Sequence, residues 1–175
     1  MKKNFSIFLM IVITFLLQST FHQVLPSSLI VPNLLLILTV SMGIMRGKKS
    51  GMWVGFISGL LTDLFFGTYF GFTALIYMYI GYLNGFLFKM FFDEDFRIPM
   101  FFVGISDLVY NIIFYIVHFA LQGKGGFGKF FRTTILPEAI CTVIFTILFY
   151  EIYFAINKKI HAGEQEEQQS PWLRR

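Results

Sequence analysis

Long apolar runs separated by short polar breaks fill this chain almost from end to end. The runs are Phe5 to Leu25, Ile30 to Met45, Gly51 to Phe66, Phe72 to Phe92, Ile98 to Leu121 and Thr133 to Ile156. A helix that crosses a bilayer needs about 20 predominantly apolar residues. The second and third runs fall short of that, and the other four reach it. The pattern predicts an all-α, polytopic membrane protein: a six-helix transmembrane bundle over residues 1–156, with spans at roughly 5–25, 30–45, 51–66, 72–92, 98–121 and 133–156. Residues 157–175, rich in Glu and Gln, read as a disordered cytoplasmic tail. The closing Pro171-Trp172-Leu173-Arg174-Arg175 is a frayed terminus or a short interfacial end. Lys2 and Lys3 ahead of the first run outline a signal peptide. No small-residue cleavage site follows it, so the run reads as a retained helix.

Composition narrows the class. Of 175 residues 56% are hydrophobic, 24 are Phe, and mean hydropathy is +0.69. Charged residues make up 14%, against roughly 25% in an average soluble domain. A fold this small has too little interior to hide so much apolar surface from water, and a disordered chain would be polar and poor in aromatics. The net charge of +4 and pI near 9.2 would suit a nucleic-acid binder. The placement of the cations argues otherwise. Lys2, Lys3, Arg46, Lys48, Lys49, Lys89, Arg97, Lys158, Lys159, Arg174 and Arg175 fall on one side of the six-span scheme, and Lys124, Lys129 and Arg132 on the other. That bias puts both termini in the cytoplasm, with basic turns facing an anionic leaflet, and leaves no role for nucleic acid. A lone Cys141 allows no intrachain disulfide.

Polar residues inside the runs are costly and face a bundle interior. Gly51, Gly55, Gly59, Asp63 and Gly67 recur every four residues on the third helix, so they form a slowly winding stripe of small residues. Such a stripe lets another helix approach closely. It serves either packing within this chain or the docking of a partner helix. Thr14, Gln18 and His22 share a face of the first helix, and Gly104, Asp107, Asn111, Tyr115 and His118 share one of the fifth. Glu138, Thr142 and Thr146 line the sixth, and Asn84 sits between Gly81 and Gly85 on the fourth. Gln18, His22, Asp107, Asn111, His118 and Glu138 thus form an intramembrane polar cluster, either a filled network or a ligand cavity. A metal is not expected there, because the ligands come from separate helices without short-range spacing.

No nucleophile elbow, phosphate loop or H-E-x-x-H is present, and the loops are too short for a catalytic domain. Asp93-Glu94-Asp95 reads as a solvated turn. The expectation is a protein with no catalytic residue and no cofactor.

The sequence resembles the MreD family, membrane-embedded rod-shape-determining proteins of bacteria. The likeness rests on Val31-Pro32-Asn33-Leu34-Leu35-Leu36, on Arg46-Gly47-Lys48-Lys49, and on Gly51-x-x-x-Gly55-Phe56-x-x-Gly59-Leu60-Leu61-x-Asp63 through Gly71. Its motif positions here are Pro32, Asn33, Phe56, Leu60 and Gly71. The resemblance implies a non-enzymatic scaffold of the cell-wall elongation complex in the bacterial plasma membrane. It implies as partners an MreC-like single-span protein, RodA with its class B penicillin-binding protein, MreB filaments reached directly or indirectly, and membrane lipid. It also implies a fold like that of the six-helix substrate-binding subunits of energy-coupling-factor transporters. From that kinship comes an alternative function, a vitamin-binding transporter subunit.

Overall fold

The computed structural model describes residues 2–24, 31–67, 69–89, 97–117 and 127–169. His118, Lys124, Asp93-Glu94-Asp95 and Pro171 to Arg175 lie outside them. Six main helices follow in order: α1 (Lys2–Val24), α2 (Leu34–Arg46), α3 (Lys48–Phe66), α4 (Phe72–Asn84), α5 (Arg97–Tyr115) and α6 (Leu136–Gln169). A short 3₁₀ turn, Leu87–Lys89, follows α4, and a helical turn, Phe127–Phe130, and a π-helical turn, Phe131–Ile135, lead into α6. Pro137 explains the wider turn: it has no N–H to give back to the preceding turn, so the ladder is re-spaced there. The described residues contain no strand.

α2 is the axle of the molecule. Its sequence is apolar all round, which is the pattern of a fully enclosed helix. Every residue from Leu34 to Met45 is buried. α1, α3, α4, α5 and α6 all pack around it. Two polar side chains ride inside. Thr39 donates to the Leu35 carbonyl of its own helix at 2.8 Å, and Ser41 is buried beside it.

The helices differ in reach. α1, α5 and the Phe127–Ile160 segment are long and apolar enough to cross a bilayer. α2 and α4 have 13 residues each, about 20 Å of helix against roughly 30 Å of hydrocarbon. α3 has the length, but three glycines, Asp63 and two lysines lower its hydropathy. So among the described residues three of the six predicted spans have the length and hydropathy of independent spans. The other three depend on one another and on the outer helices for cover. α4 ends at Asn84, short of the predicted limit, where the Gly85 N–H returns to the Gly81 carbonyl. α6 continues to Gln169, through the segment read from composition as a tail.

Candidate functional site

The site is built from two neighbouring features, a seam of glycines and a polar hub at the N-terminal ends of α2 and α4. In the seam, α3 lies backbone to backbone on α4. A Cβ added to Gly59 would sit 2.5 Å from the Ala74 Cα, and one on Gly55 would collide with the Tyr77 carbonyl. One on Gly51 would strike the Gly81 carbonyl and lie 2.7 Å from the Gly43 Cα. At that level three backbones, from α2, α3 and α4, meet at Gly43, Gly51 and Gly81. The stripe of Gly51, Gly55 and Gly59 is therefore used inside the chain. α4 occupies the face of Gly51, Gly55 and Gly59 that the spacing offered equally to packing within the chain or to a partner helix.

Asp63 and Gly67 have other tasks. Asp63 is buried, and its two carboxyl oxygens accept the N–H groups of Thr73 at 3.1 Å and Ala74 at 3.0 Å. Those are first-turn amides of α4, which otherwise lack partners. Asp63 thus caps α4 from another helix. This is needed because Gly71, at the capping position, has no side chain to offer. Gly71 has φ of 89°, a left-handed conformation that a residue with a Cβ adopts only at a cost. Gly67 ends α3, its N–H bonded to the Asp63 carbonyl at 3.1 Å. Of the remaining motif positions, Phe56 is exposed and Leu60 half-buried on α3, and Pro32 is buried beside Asn33.

Asn33 is the centre of the hub. Its Oδ1 accepts the Leu36 N–H at 3.2 Å, capping α2, and also the Tyr77 hydroxyl at 2.7 Å. Its own N–H donates to Thr142 Oγ1 at 3.2 Å. Gln18 of α1 completes the cap, its Oε1 accepting the Leu35 N–H at 2.9 Å. One helix N-terminus thereby ties α1, α2, α4 and α6 together. Further ties lie along the bundle: Thr14 with the Tyr153 hydroxyl at 2.9 Å, Asn84 Nδ2 to Ser106 Oγ at 3.0 Å, and Arg46 Nε to Asn157 Oδ1.

The predicted polar cluster is brought together only in part. Asp107 is wholly buried next to Glu138, Asn33 and Thr142, but no donor comes within hydrogen-bonding geometry of its carboxyl oxygens among the described residues. Asn111 is buried a turn away and donates to the Asp107 carbonyl at 3.1 Å. His22 stays exposed, with its ring stacked on Phe66 and its Nδ1 3.3 Å from the Gln18 carbonyl oxygen. His118 is not among the described residues. Gln18, His22, Asp63, Tyr77, Tyr110 and Glu138 share a cavity of about 190 Å³. That is room for several waters, but less than the roughly 300 Å³ at which small-molecule pockets begin. Among the described residues no group of three His, Cys, Asp or Glu side chains is placed to hold a metal.

Several members of the site were not picked out from sequence. Gly43 is isolated in an apolar helix, and Gly81 was noted only as a neighbour of Asn84. Tyr77, Tyr153 and Asn157 read as an ordinary part of an aromatic helix or a polar tail. No spacing signal separates them from the other tyrosines. Thr142 was visible as part of a stripe, but its bond to Asn33 depends on tertiary placement.

With this geometry in hand, comparison with known proteins is informative. The family model described as MreD, rod shape-determining protein MreD, matches residues 1–160. No curated protein and no solved structure matches the chain. The chain belongs to the MreD family and is a rod shape-determining membrane protein, a structural class and not a known class of enzyme. No finding supports the transporter-subunit alternative, and the fold kinship behind it has no solved structure to rest on.

Proposed function

From its place in the MreD family, we propose that this chain is a non-enzymatic scaffold of the bacterial cell-wall elongation complex. It sits in the plasma membrane with both termini in the cytoplasm. The match over residues 1–160 carries this reading. The geometry is in keeping with it. The axle helix is enclosed on all sides, the α3–α4 seam is closed by backbone contact, and the polar hub is spent on capping helices. A frame of this kind holds a shape and offers its outside to partners. With the glycine stripe occupied, the surface left for an MreC-like span or for RodA and its class B penicillin-binding protein is the outer one. On the back of α3 and α4 it carries Phe56, Tyr79 and Tyr82, all exposed. MreB filaments are reached from the basic cytoplasmic turns, directly or through those partners.

The test is capture of the tagged full chain in mild detergent from a rod-shaped host, with mass spectrometry of what co-purifies. The expected result is the MreC-like subunit together with elongation synthases, and rounding of cells depleted of the chain. A stable, membrane-inserted chain that retrieves none of them, in cells that stay rod-shaped on depletion, would overturn the scaffold. Reporter fusions after Gly125 and after Arg175 should report opposite sides of the membrane. The same side for both contradicts the proposed orientation.

A further inference from the structure

α6 carries a charged residue type on the outside of an apolar span. Glu151 lies within the last apolar run, more than a helical turn before its end at Ile156, and its side chain is exposed. Among the described residues the other exposed lysines, arginines and acids are Lys49, Arg97, Lys129, Arg132, Lys158 and Lys159, and all of these lie outside the apolar runs. Asp63 and Asp107 are buried, and Glu138 is half-buried and lines the cavity beside Gln18. Glu151 has no hydrogen-bond or ion-pair partner among the described residues. The face around it is otherwise apolar. Ile140, Ile144, Ile147 and Glu151 follow at alternating steps of four and three, the spacing of a seam along which a second helix winds. The three isoleucines are exposed, and Ala155, a turn further on, is exposed and small.

We infer that this seam of α6 docks a membrane-spanning helix of a partner protein, and that a lysine or arginine of that helix pairs with Glu151. The inference rests on the scaffold reading and names a face through which the scaffold works. A carboxyl turned to lipid is costly, and acids within spans are found against a pairing group. The described chain supplies none here. Lipid headgroups are out of reach. Glu151 stands about 10 Å along the axis from Lys158. Its short side chain cannot make the outward bend by which lysines and arginines near a span end reach the interface. The complement has to arrive at the same depth, and another spanning helix is what holds a cation there. A second copy of the chain is a poor occupant. Copies share one orientation in the membrane, so a two-fold contact along this seam sets Glu151 against its own equivalent. The exposed isoleucines are stiff and offer a defined surface, and Ala155 lets the partner backbone come close. Apolar contacts alone distinguish a helix poorly from lipid tails. An ion pair in hydrocarbon is little weakened by water, so one pair fixes both partner and register.

The tagged full chain, with a photoreactive phenylalanine analogue in place of Ile147, tests this in rod-shaped cells. The expected crosslink is to the membrane helix of another protein, and that helix should contain a lysine or arginine. The same analogue at the exposed Ile105 of α5 should not reach it. Glu151→Leu should insert at wild-type abundance, because it removes a polar group from the lipid face. It should nevertheless lower capture of that protein in mild detergent about tenfold, or about 1.4 kcal/mol. Glu151→Gln, which keeps the shape and drops the charge, should lose most of the same capture. Glu151→Lys, combined with a glutamate in place of the partner's cation, should restore it. Four outcomes would overturn the docking face and leave the scaffold standing: capture unchanged by both Glu151→Leu and Glu151→Gln, a crosslink from position 147 to a second copy of the chain, a crosslink to lipid alone, or a crosslinked helix without a cation. A wild-type chain that captures no partner removes the scaffold reading and this face with it.

Discussion

Two contacts of the same helix show how side-chain size sets the architecture. Toward α4, α3 presents Gly51, Gly55 and Gly59, and the two backbones touch. Toward α1 it presents Trp53 and Ile57, and near the α2–α3 turn the helices stand apart around a cleft. The residues involved lie within two turns of each other. In a membrane the lipid tails are as apolar as the side chains, so hydrophobic burial gives no reason to prefer one contact over the other. What separates them is dispersion between close backbones, available only where no Cβ intervenes. The seam is therefore rigid and intolerant of change. The cleft should tolerate substitution and be open to occupation.

The sharpest way to break the comparison is to add a side chain to the seam. Gly55→Leu places carbon where the Tyr77 carbonyl already is, and backbone cannot move aside cheaply. A destabilisation of about 3 kcal/mol or more is expected, at or above the usual range for overpacking, with little protein recovered from membranes. Abundance in the membrane and thermal unfolding in detergent check this. Normal abundance with a wild-type melting temperature would mean that α3 and α4 are not in backbone contact. The cap that holds the same hairpin comes next. Asp63→Ala leaves the Thr73 and Ala74 amides buried without acceptors and should cost about 2–3 kcal/mol. Asp63→Asn keeps one oxygen acceptor and should recover roughly half of that loss. Equal damage from Ala and Asn would show that the hydrogen bonds are not what matters.

Smaller effects sharpen the picture. Gly71→Ala meets no neighbouring atom within 4 Å, so its cost is only the left-handed backbone, about 1 kcal/mol. A loss as large as that from Gly55→Leu would point to an unseen contact at the α3–α4 turn. On the cleft side, Trp53→Ala removes a side chain that is 60% exposed and should change stability by no more than about 0.5 kcal/mol. A larger drop in melting temperature would mean that α1 leans on Trp53 and that the cleft is closed in the membrane.

Much of this was legible in the residues. Apolar runs determined the helical class and the approximate place of each helix, because a helix in lipid must satisfy its backbone internally and present an apolar surface. Asn33 before an apolar run, and Gly67 after one, are local end signals that need no tertiary knowledge. The four-residue glycine spacing announced a close helix contact. It could not say with which helix, since the same stripe fits any backbone, and only the fold showed that α4 takes it. The uniform apolarity of α2 hid its role as the axle, because lipid and protein interior accept the same side chains. The polar stripes told of an interior but not of its pairings: Gln18 and Tyr77 reach the α2 cap, Asp63 reaches α4, and His22 stays outside. Those outcomes depend on angles between helices, which arise from packing many side chains at once and leave no mark at any single position.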